Sequence, residues 1–253
     1  MIQTFACLRT RHRRNCGWRP SQATKVTPRL RCNGVSTSCP SVRKFFRGRF
    51  GALVLVDLGA DEGRTLTLGS FNAGNGTTFV PTRLQDAWDT ADFDLLEIRV
   101  GSPTADAVRA LPERLADLAR VPESEAVNAG SPRPFELGVN PFEINGKGMD
   151  MAIIDERIRL GDTEVWEVSN PNQQAHPFHV HGDSFQILSR DGALPPANEL
   201  GWKDVVLLRP FETVRIIKRF RDYADPERPF MFHCHILEHE DVGMMGQFVV
   251  EER

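Results

Sequence analysis

The sequence predicts an all-β protein built around a β-sandwich. Its apolar segments are short, and they are separated by clusters of Gly, Asn, Asp and Pro, the pattern of strands joined by turns. The Asn145-Gly146 dipeptide follows one such segment and is a strong hairpin signal. No run of eighteen apolar residues is present, so no transmembrane helix is predicted.

The predicted strands fall into two groups along the chain. Segments 52–58, 64–68 and 93–100 form the first group and are too few to close a sandwich. The second group supplies about as many strands as one sandwich needs. Its members are 141–147, 158–160, 163–170, 185–188, 204–208, 212–217, 231–236 and 246–250.

Charge divides the chain into two different kinds of sequence. Residues 1–49 hold 12 Lys and Arg and no Asp or Glu, whereas the rest carries 19 basic and 34 acidic residues. Four cysteines lie in this basic part, at spacings that match no standard zinc pattern. Three functions compete for this segment: an organelle transit peptide, a nucleic-acid-binding arm, and a disulfide or zinc module. We favour a disordered stretch without a designed function.

Two histidine clusters carry the chemistry. His176, His179 and His181 form the first, and the second surrounds Cys234 in the stretch 233–245. If both segments are strands, side chains alternate between faces, so Cys234 points away from its two neighbouring histidines.

Parity then sorts the ligands into two groups. His176, Cys234, His239 and Met244 surround one metal, and His179, His181, His233 and His235 surround another centre. Two imidazoles, a thiolate and a weak thioether are the ligands of a blue-copper site. Zinc is the main rival, but zinc sites favour four strong ligands and rarely recruit Met.

The motifs HPFHVHG at 176–182 and HCHILEHEDVGMM at 233–245 resemble the C-terminal signature of the multicopper oxidases, which include laccases, bilirubin oxidases and cuprous oxidases. The resemblance implies a cupredoxin-like Greek-key β-sandwich. It makes His176, Cys234, His239 and Met244 the type 1 copper ligands. It places His179 on the type 2 copper and His181, His233 and His235 on the type 3 pair. Cys234 would conduct electrons, and Glu240 would relay protons toward the cluster.

The resemblance also implies a domain organisation. Residues 1–49 precede a partial middle cupredoxin domain at 50–101, a proline-rich linker at 102–134 with a short helical pattern at 113–119, and a C-terminal copper-binding domain at 135–253. Family members usually work in the periplasm or outside the cell, but no secretion signal is recognised. No nucleic-acid or membrane partner is expected.

The family oxidises a small reductant, here phenol-like or a metal ion, and reduces dioxygen to water. Its trinuclear cluster uses eight histidines, and this chain matches the four of the C-terminal domain, with only His12 left over. We therefore expect either a partner chain that supplies the missing histidines or a truncated oxidase without turnover, and we favour the truncated oxidase. The alternative functions are a single type 1 cupredoxin for electron transfer and an inert cupredoxin-like fold.

Overall fold

The computed structural model describes residues 6–10, 42–48, 51–56, 58–70, 93–106 and 119–252. Strands dominate these residues, with one short α-helix near the end of the chain. In chain order the elements are β1 (Ala6–Thr10), β2 (Val42–Gly48), β3 (Gly51–Val56), β4 (Thr65–Ser70), β5 (Phe93–Arg99), β6 (Arg133–Val139), β7 (Phe142–Ile144), β8 (Glu156–Arg159), β9 (Thr163–Ser169), β10 (His176–Val180), β11 (Phe185–Arg190), β12 (Trp202–Lys203), β13 (Val205–Leu208), β14 (Thr213–Arg219), β15 (Asp225–Cys234), α1 (Leu237–Asp241) and β16 (Met245–Glu251).

The chain divides into two compact units. The larger holds Met1–Gln3, Arg47–Ala52 and Asp117–Arg253, and the smaller holds Thr4–Phe46 and Leu53–Ala116. A three-stranded antiparallel sheet in the order β1-β4-β5 lies in the smaller unit, and β2 pairs with β3 in a separate two-stranded sheet. Two of these strands fall within 1–49, where the sequence predicted no regular structure; the rest of that segment lies outside the described residues.

The larger unit is a sandwich of two sheets. One sheet has the order β13-β10-β15-β16-β8, and the other has the order β12-β11-β14-β9-β6-β7. Several consecutive strands alternate between the sheets, as β8, β9, β10 and β11 do, so their connections cross over. These features confirm the predicted all-β, Greek-key sandwich.

Aromatic side chains fill the space between the two sheets. Phe135 lies at the centre, and its ring centroid is 4.6 Å from that of Trp166 and 4.9 Å from that of Phe232. Phe178 and Phe248 join the same buried cluster. Burial of such rings removes large apolar areas from water, which is the main favourable term for this fold.

Residues 119–128 cover the outer face of the second sheet. Val121 packs on Val165 and Ile217 there. The backbone N–H of Val121 donates to Gln186 Oε1 at 2.9 Å, and Gln186 Nε2 donates back to the Ala119 carbonyl at 3.0 Å. The second half of the predicted linker is thus attached to the sandwich, and the larger unit begins before residue 135. Most of the predicted helical pattern at 113–119 lies outside the described residues.

The turn at Asn145-Gly146 agrees with the sequence prediction. Asn145 has φ of 56° and Gly146 has φ of 69°, as a two-residue hairpin turn with positive φ at both positions requires. Ile144 and Lys147 exchange backbone hydrogen bonds of 2.9 and 3.1 Å across it. This turn follows β7, the short strand that begins at Phe142.

The end of the chain differs from the prediction in two details. β15 starts at Asp225 and ends at Cys234, whereas the sequence predicted a strand over 231–236. The helix α1 then follows, in a stretch for which the sequence predicted no element. Among the described helices, none is both long and apolar enough to cross a membrane.

Candidate metal centre

Two adjacent strands place the predicted ligands. β10 lies between β13 and β15, and its antiparallel register with β15 sets Phe178 opposite Cys234 and His179 opposite His233. Residues directly opposite one another share a face of the sheet. His176 has the parity of Phe178, so it lies on the same face as Cys234, which is the face toward the core.

His176, Cys234 and His239 form the first cluster. The Cys234 Sγ atom is 3.5 Å from His176 Nδ1 and 3.5 Å from His239 Nδ1. All three residues are buried, with exposed fractions of 0%, 0% and 6%. Three ligand atoms of soft or borderline type therefore converge on one point inside the protein.

Met244 is held next to this cluster by its backbone. The N–H of Met244 donates to the His239 carbonyl at 2.9 Å, and the N–H of Cys234 donates to the Met244 carbonyl at 3.1 Å. The Met244 side chain is fully buried in the same core cluster as Cys234. Gly243 makes this return possible, because its φ of 97° is a conformation that favours glycine.

The protonation states of the first cluster suit binding of a metal cation. Burial lowers the pKa of His176 to about 3, with a smaller contribution from His239, and burial lowers the pKa of His239 to about 4. Both imidazoles are neutral at neutral pH and present a lone pair. Burial also raises the pKa of the Cys234 thiol to about 12, so a metal has to displace its proton.

The spacing of the first cluster fits a bound metal. With metal–sulfur and metal–nitrogen bonds of about 2.3 and 2.0 Å, as at zinc, sulfur and nitrogen on neighbouring corners lie about 3.5–3.7 Å apart. Both measured separations from Cys234 Sγ fall at this value. The Nε2 atom of His176 is buried without a hydrogen-bond partner, so Nδ1 is the nitrogen that has a polar neighbour.

Four histidines meet on the other face of the same strands. The Nε2 atoms of His181 and His233 are 3.2 Å apart, and the ligand nitrogens of His179, His181 and His233 all lie within 4.8 Å of one another. The ring of His235 lies 5.3 Å from that of His179 and 5.4 Å from that of His233, centroid to centroid. The structure thus brings together the histidines that parity grouped.

Backbone carbonyls orient two of these rings. His179 Nδ1 lies 2.8 Å from the Asp204 carbonyl, and His233 Nδ1 lies 3.0 Å from the Cys234 carbonyl. A ring that donates a hydrogen bond from Nδ1 keeps the lone pair of Nε2 available for a metal. Metal-binding histidines usually donate from their other ring nitrogen in this way. Burial lowers the pKa of His179 to about 4, and burial also lowers the pKa of His181.

Glu240 lies against the second cluster. Its Oε2 atom is 3.5 Å from His233 Nδ1, and its side chain is 31% exposed. It reaches Nδ1 of the ring because α1 begins at Leu237, two residues beyond His235, and places Glu240 back against the histidines. The carboxylate therefore connects the cluster with solvent.

Sequence reasoning missed one residue of the first cluster. The Phe142 ring stacks on the His239 imidazole, with centroids 3.9 Å apart and an angle of 21° between planes. No ligand motif contains Phe142, and its only sequence signal is the neighbouring Asn-Gly turn. Phe178 and Phe232, which are adjacent in sequence to predicted ligands, belong to the central core cluster.

Comparisons with known proteins agree with this geometry. The family model described as multicopper oxidase matches residues 119–253. The multicopper oxidase mco of Staphylococcus haemolyticus is 45% identical over 111 residues, which are 42% of this chain and 24% of that protein. A laccase of Haloferax volcanii is 34% identical over 208 residues, which are 78% of this chain and 33% of that protein.

Solved structures show the same relationship. A multicopper oxidase from Pediococcus acidilactici superimposes with a TM-score of 0.60 at 33% identity, over 79% of this chain and 38% of that chain. The chain thus spans well under half of the length of these relatives. The family model, in contrast, covers more than half of the chain, and the sandwich and both histidine motifs lie within its match. The chain therefore belongs to the multicopper oxidase family of copper oxidoreductases.

Proposed function

We propose that His176, Cys234, His239 and Met244 bind a type 1 copper. The single observation that carries this proposal is the placement of Cys234 Sγ 3.5 Å from one nitrogen of each histidine, inside a closed core. The buried Met244 beside them supports copper over zinc, since a weak thioether completes blue-copper sites and is rare at zinc. When bound, copper supplies one-electron redox chemistry.

We further propose that His179, His181, His233 and His235 are half of a trinuclear copper site, with His179 on the type 2 copper and the other three on the type 3 pair. The convergence of their ligand nitrogens supports this assignment. The resembling family uses four more histidines, and His12 is the only histidine of this sequence that neither proposed site uses. We place the remaining ligands outside these 253 residues, on another domain or on a partner chain.

The backbone gives the two sites a direct connection. Cys234 is joined by one peptide bond to His233 and by another to His235, and its side chain points to the opposite face. An electron that enters at the Cys234 side reaches the histidine side through these few covalent bonds. Such a path fits oxidation of a small reductant, a phenol-like molecule or a metal ion, coupled to reduction of dioxygen to water.

Glu240 suits the supply of protons for that reaction. Its contact with His233 Nδ1 and its partial exposure join the histidine cluster to bulk water. A carboxylate in that position can take a proton from solvent and release it toward the cluster. We propose that Glu240 is the proton relay of the oxygen-reducing site.

The competing function is electron transfer through a single type 1 copper. The second cluster disfavours this alternative, because an electron carrier does not need four imidazoles on the opposite face. A fold with no occupied site is disfavoured by the buried neutral imidazoles beside a free thiol.

Copper titration of the full chain, followed by visible absorption and metal analysis, tests the proposal. We expect an intense blue species that Cys234→Ser abolishes and His179→Ala, a control in the second cluster, retains. Residual copper in Cys234→Ser reports binding by the second histidine cluster and by the four N-terminal cysteines. Absence of colour with copper in excess, or colour that survives Cys234→Ser, contradicts the type 1 assignment.

Oxygen uptake with a phenol then separates the two functions. Several coppers per chain, with uptake once the domain or partner chain that carries the remaining four histidines is supplied, support the oxidase. A single copper per chain without uptake under the same conditions supports the electron carrier. In an active preparation, Glu240→Gln should keep the blue colour and slow oxygen uptake. Undiminished uptake by Glu240→Gln contradicts the relay.

A further inference from the structure

The ring of Phe142 covers one ligand of the proposed type 1 site. It stacks nearly parallel on His239 with a centroid separation of 3.9 Å, and it meets His176 edge to face at 6.5 Å. A single side chain thus contacts both imidazoles that flank Cys234. Aromatic rings at these separations attract one another by dispersion and by their quadrupoles.

A separate part of the chain holds Phe142 in place. It begins β7, where it pairs with Val139 of β6, and the Asn145-Gly146 turn begins three residues later. The ring is half-buried and packs against the central core cluster. Its position is set by the β6–β7 hairpin and does not depend on the loop that carries His239 and Met244.

The stack fixes the plane of the His239 imidazole. His239 lies on the short helix α1, which has five residues and no side-chain cap at its start. The imidazole nevertheless points Nδ1 at Cys234 Sγ. Contact with a flat ring that is anchored elsewhere limits rotation of the imidazole and keeps water from its covered face.

We infer that Phe142 is a positioning residue that orients His239 and sets the reduction potential of the type 1 copper. This inference rests on the proposed type 1 site. An apolar cover lowers the local dielectric and disfavours the more highly charged Cu(II) relative to Cu(I). Loss of the ring admits water and frees the imidazole, so the balance moves toward Cu(II).

Potentiometry of the copper-loaded full chain tests this inference. Phe142→Leu keeps an apolar side chain at the position but removes the stacking face. We expect it to lower the ratio of Cu(I) to Cu(II) affinity about tenfold, which corresponds to a potential about 59 mV lower. Phe142→Tyr retains the ring and should restore the wild-type potential.

A matched control removes a different ring stack. Phe220 stacks on Trp166 at 5.9 Å and 30°, and its described ring contacts include neither imidazole. Phe220→Leu should destabilise the fold and leave the potential unchanged. A wild-type potential in Phe142→Leu, or an equal shift in Phe220→Leu, overturns the inference.

A metal-free measurement separates this inference from the type 1 assignment. In the apo-protein, the ring protons of His239 should show an upfield ring-current shift in the nuclear magnetic resonance spectrum, lost in Phe142→Leu and kept in Phe142→Tyr and Phe220→Leu. If the wild type forms no blue species, the type 1 proposal fails. The prediction about the reduction potential then fails with it. The ring-current shift still decides whether Phe142 orients His239. If the wild type shows no such shift, the inference that Phe142 orients His239 is wrong.

Discussion

The protonation state of Cys234 leads to a quantitative prediction for metal binding. Burial raises the pKa of the thiol to about 12, and metals bind the thiolate. At pH 7 the required deprotonation costs about 7 kcal/mol of metal affinity. The imidazoles of His176 and His239 lose no proton, because burial lowers the pKa of each to about 3 and about 4.

We therefore expect release of one proton per metal bound and tighter binding as the pH rises. Between pH 6.5 and 8.5 the apparent affinity should increase about a hundredfold, a tenfold gain for each pH unit. Co²⁺ is a suitable probe, because it does not oxidise the thiol and its thiolate complex absorbs visible light. Calorimetry in two buffers of different ionisation enthalpy counts the released protons directly.

The four N-terminal cysteines call for a control. Cys234→Ser retains them, so its residual Co²⁺ binding is subtracted from that of the wild type. An affinity that does not change with pH would mean that the thiolate is already formed, and release of three protons would mean that the histidines are charged. Either result refutes the description of a buried neutral thiol between two neutral imidazoles.

Two further predictions concern the stability of the apo-protein. The folded state resists protonation of His176, so the stability due to this group is present above pH 6.5 and is lost as the pH falls toward 3. Urea unfolding should show that wild type loses about 3 kcal/mol more than His176→Gln between pH 7 and 4.5, and equal losses contradict this. Arg190 is buried and bridges Glu199 at 2.6 Å and Glu212 at 2.9 Å. Arg190→Met should cost about 3–5 kcal/mol in the same assay, because two carboxylates stay buried without their cation, and a loss below about 1 kcal/mol argues against it.

Much of the site could be predicted because it follows the period of a strand. The side chains of His176, His179, Cys234 and His233 fall on the faces that alternation assigns to them, since β10 and β15 are regular through these residues. The hairpin at Asn145-Gly146 could also be predicted from the sequence, because a two-residue turn with positive φ depends on local backbone sterics.

Contacts between segments that are distant in the sequence could not be predicted in this way. The linker prediction for 102–134 rested on its prolines, yet Val121 packs on the sheet and Asn128 bonds with both backbone groups of Val165. Nothing in the local sequence indicates which groove receives such a segment. The functional residue roles and the domain boundaries stay predictions, and the experiments above address the former.

The sequence by itself determined the candidate ligand residues, their division between two faces and the family, because alternation and motif spacing are properties of short segments. The tertiary structure decided the rest. It set Phe178 opposite Cys234, brought Met244 back to His239, and stacked Phe142 on that imidazole. These arrangements depend on register and packing between segments up to about a hundred residues apart, which no local pattern encodes.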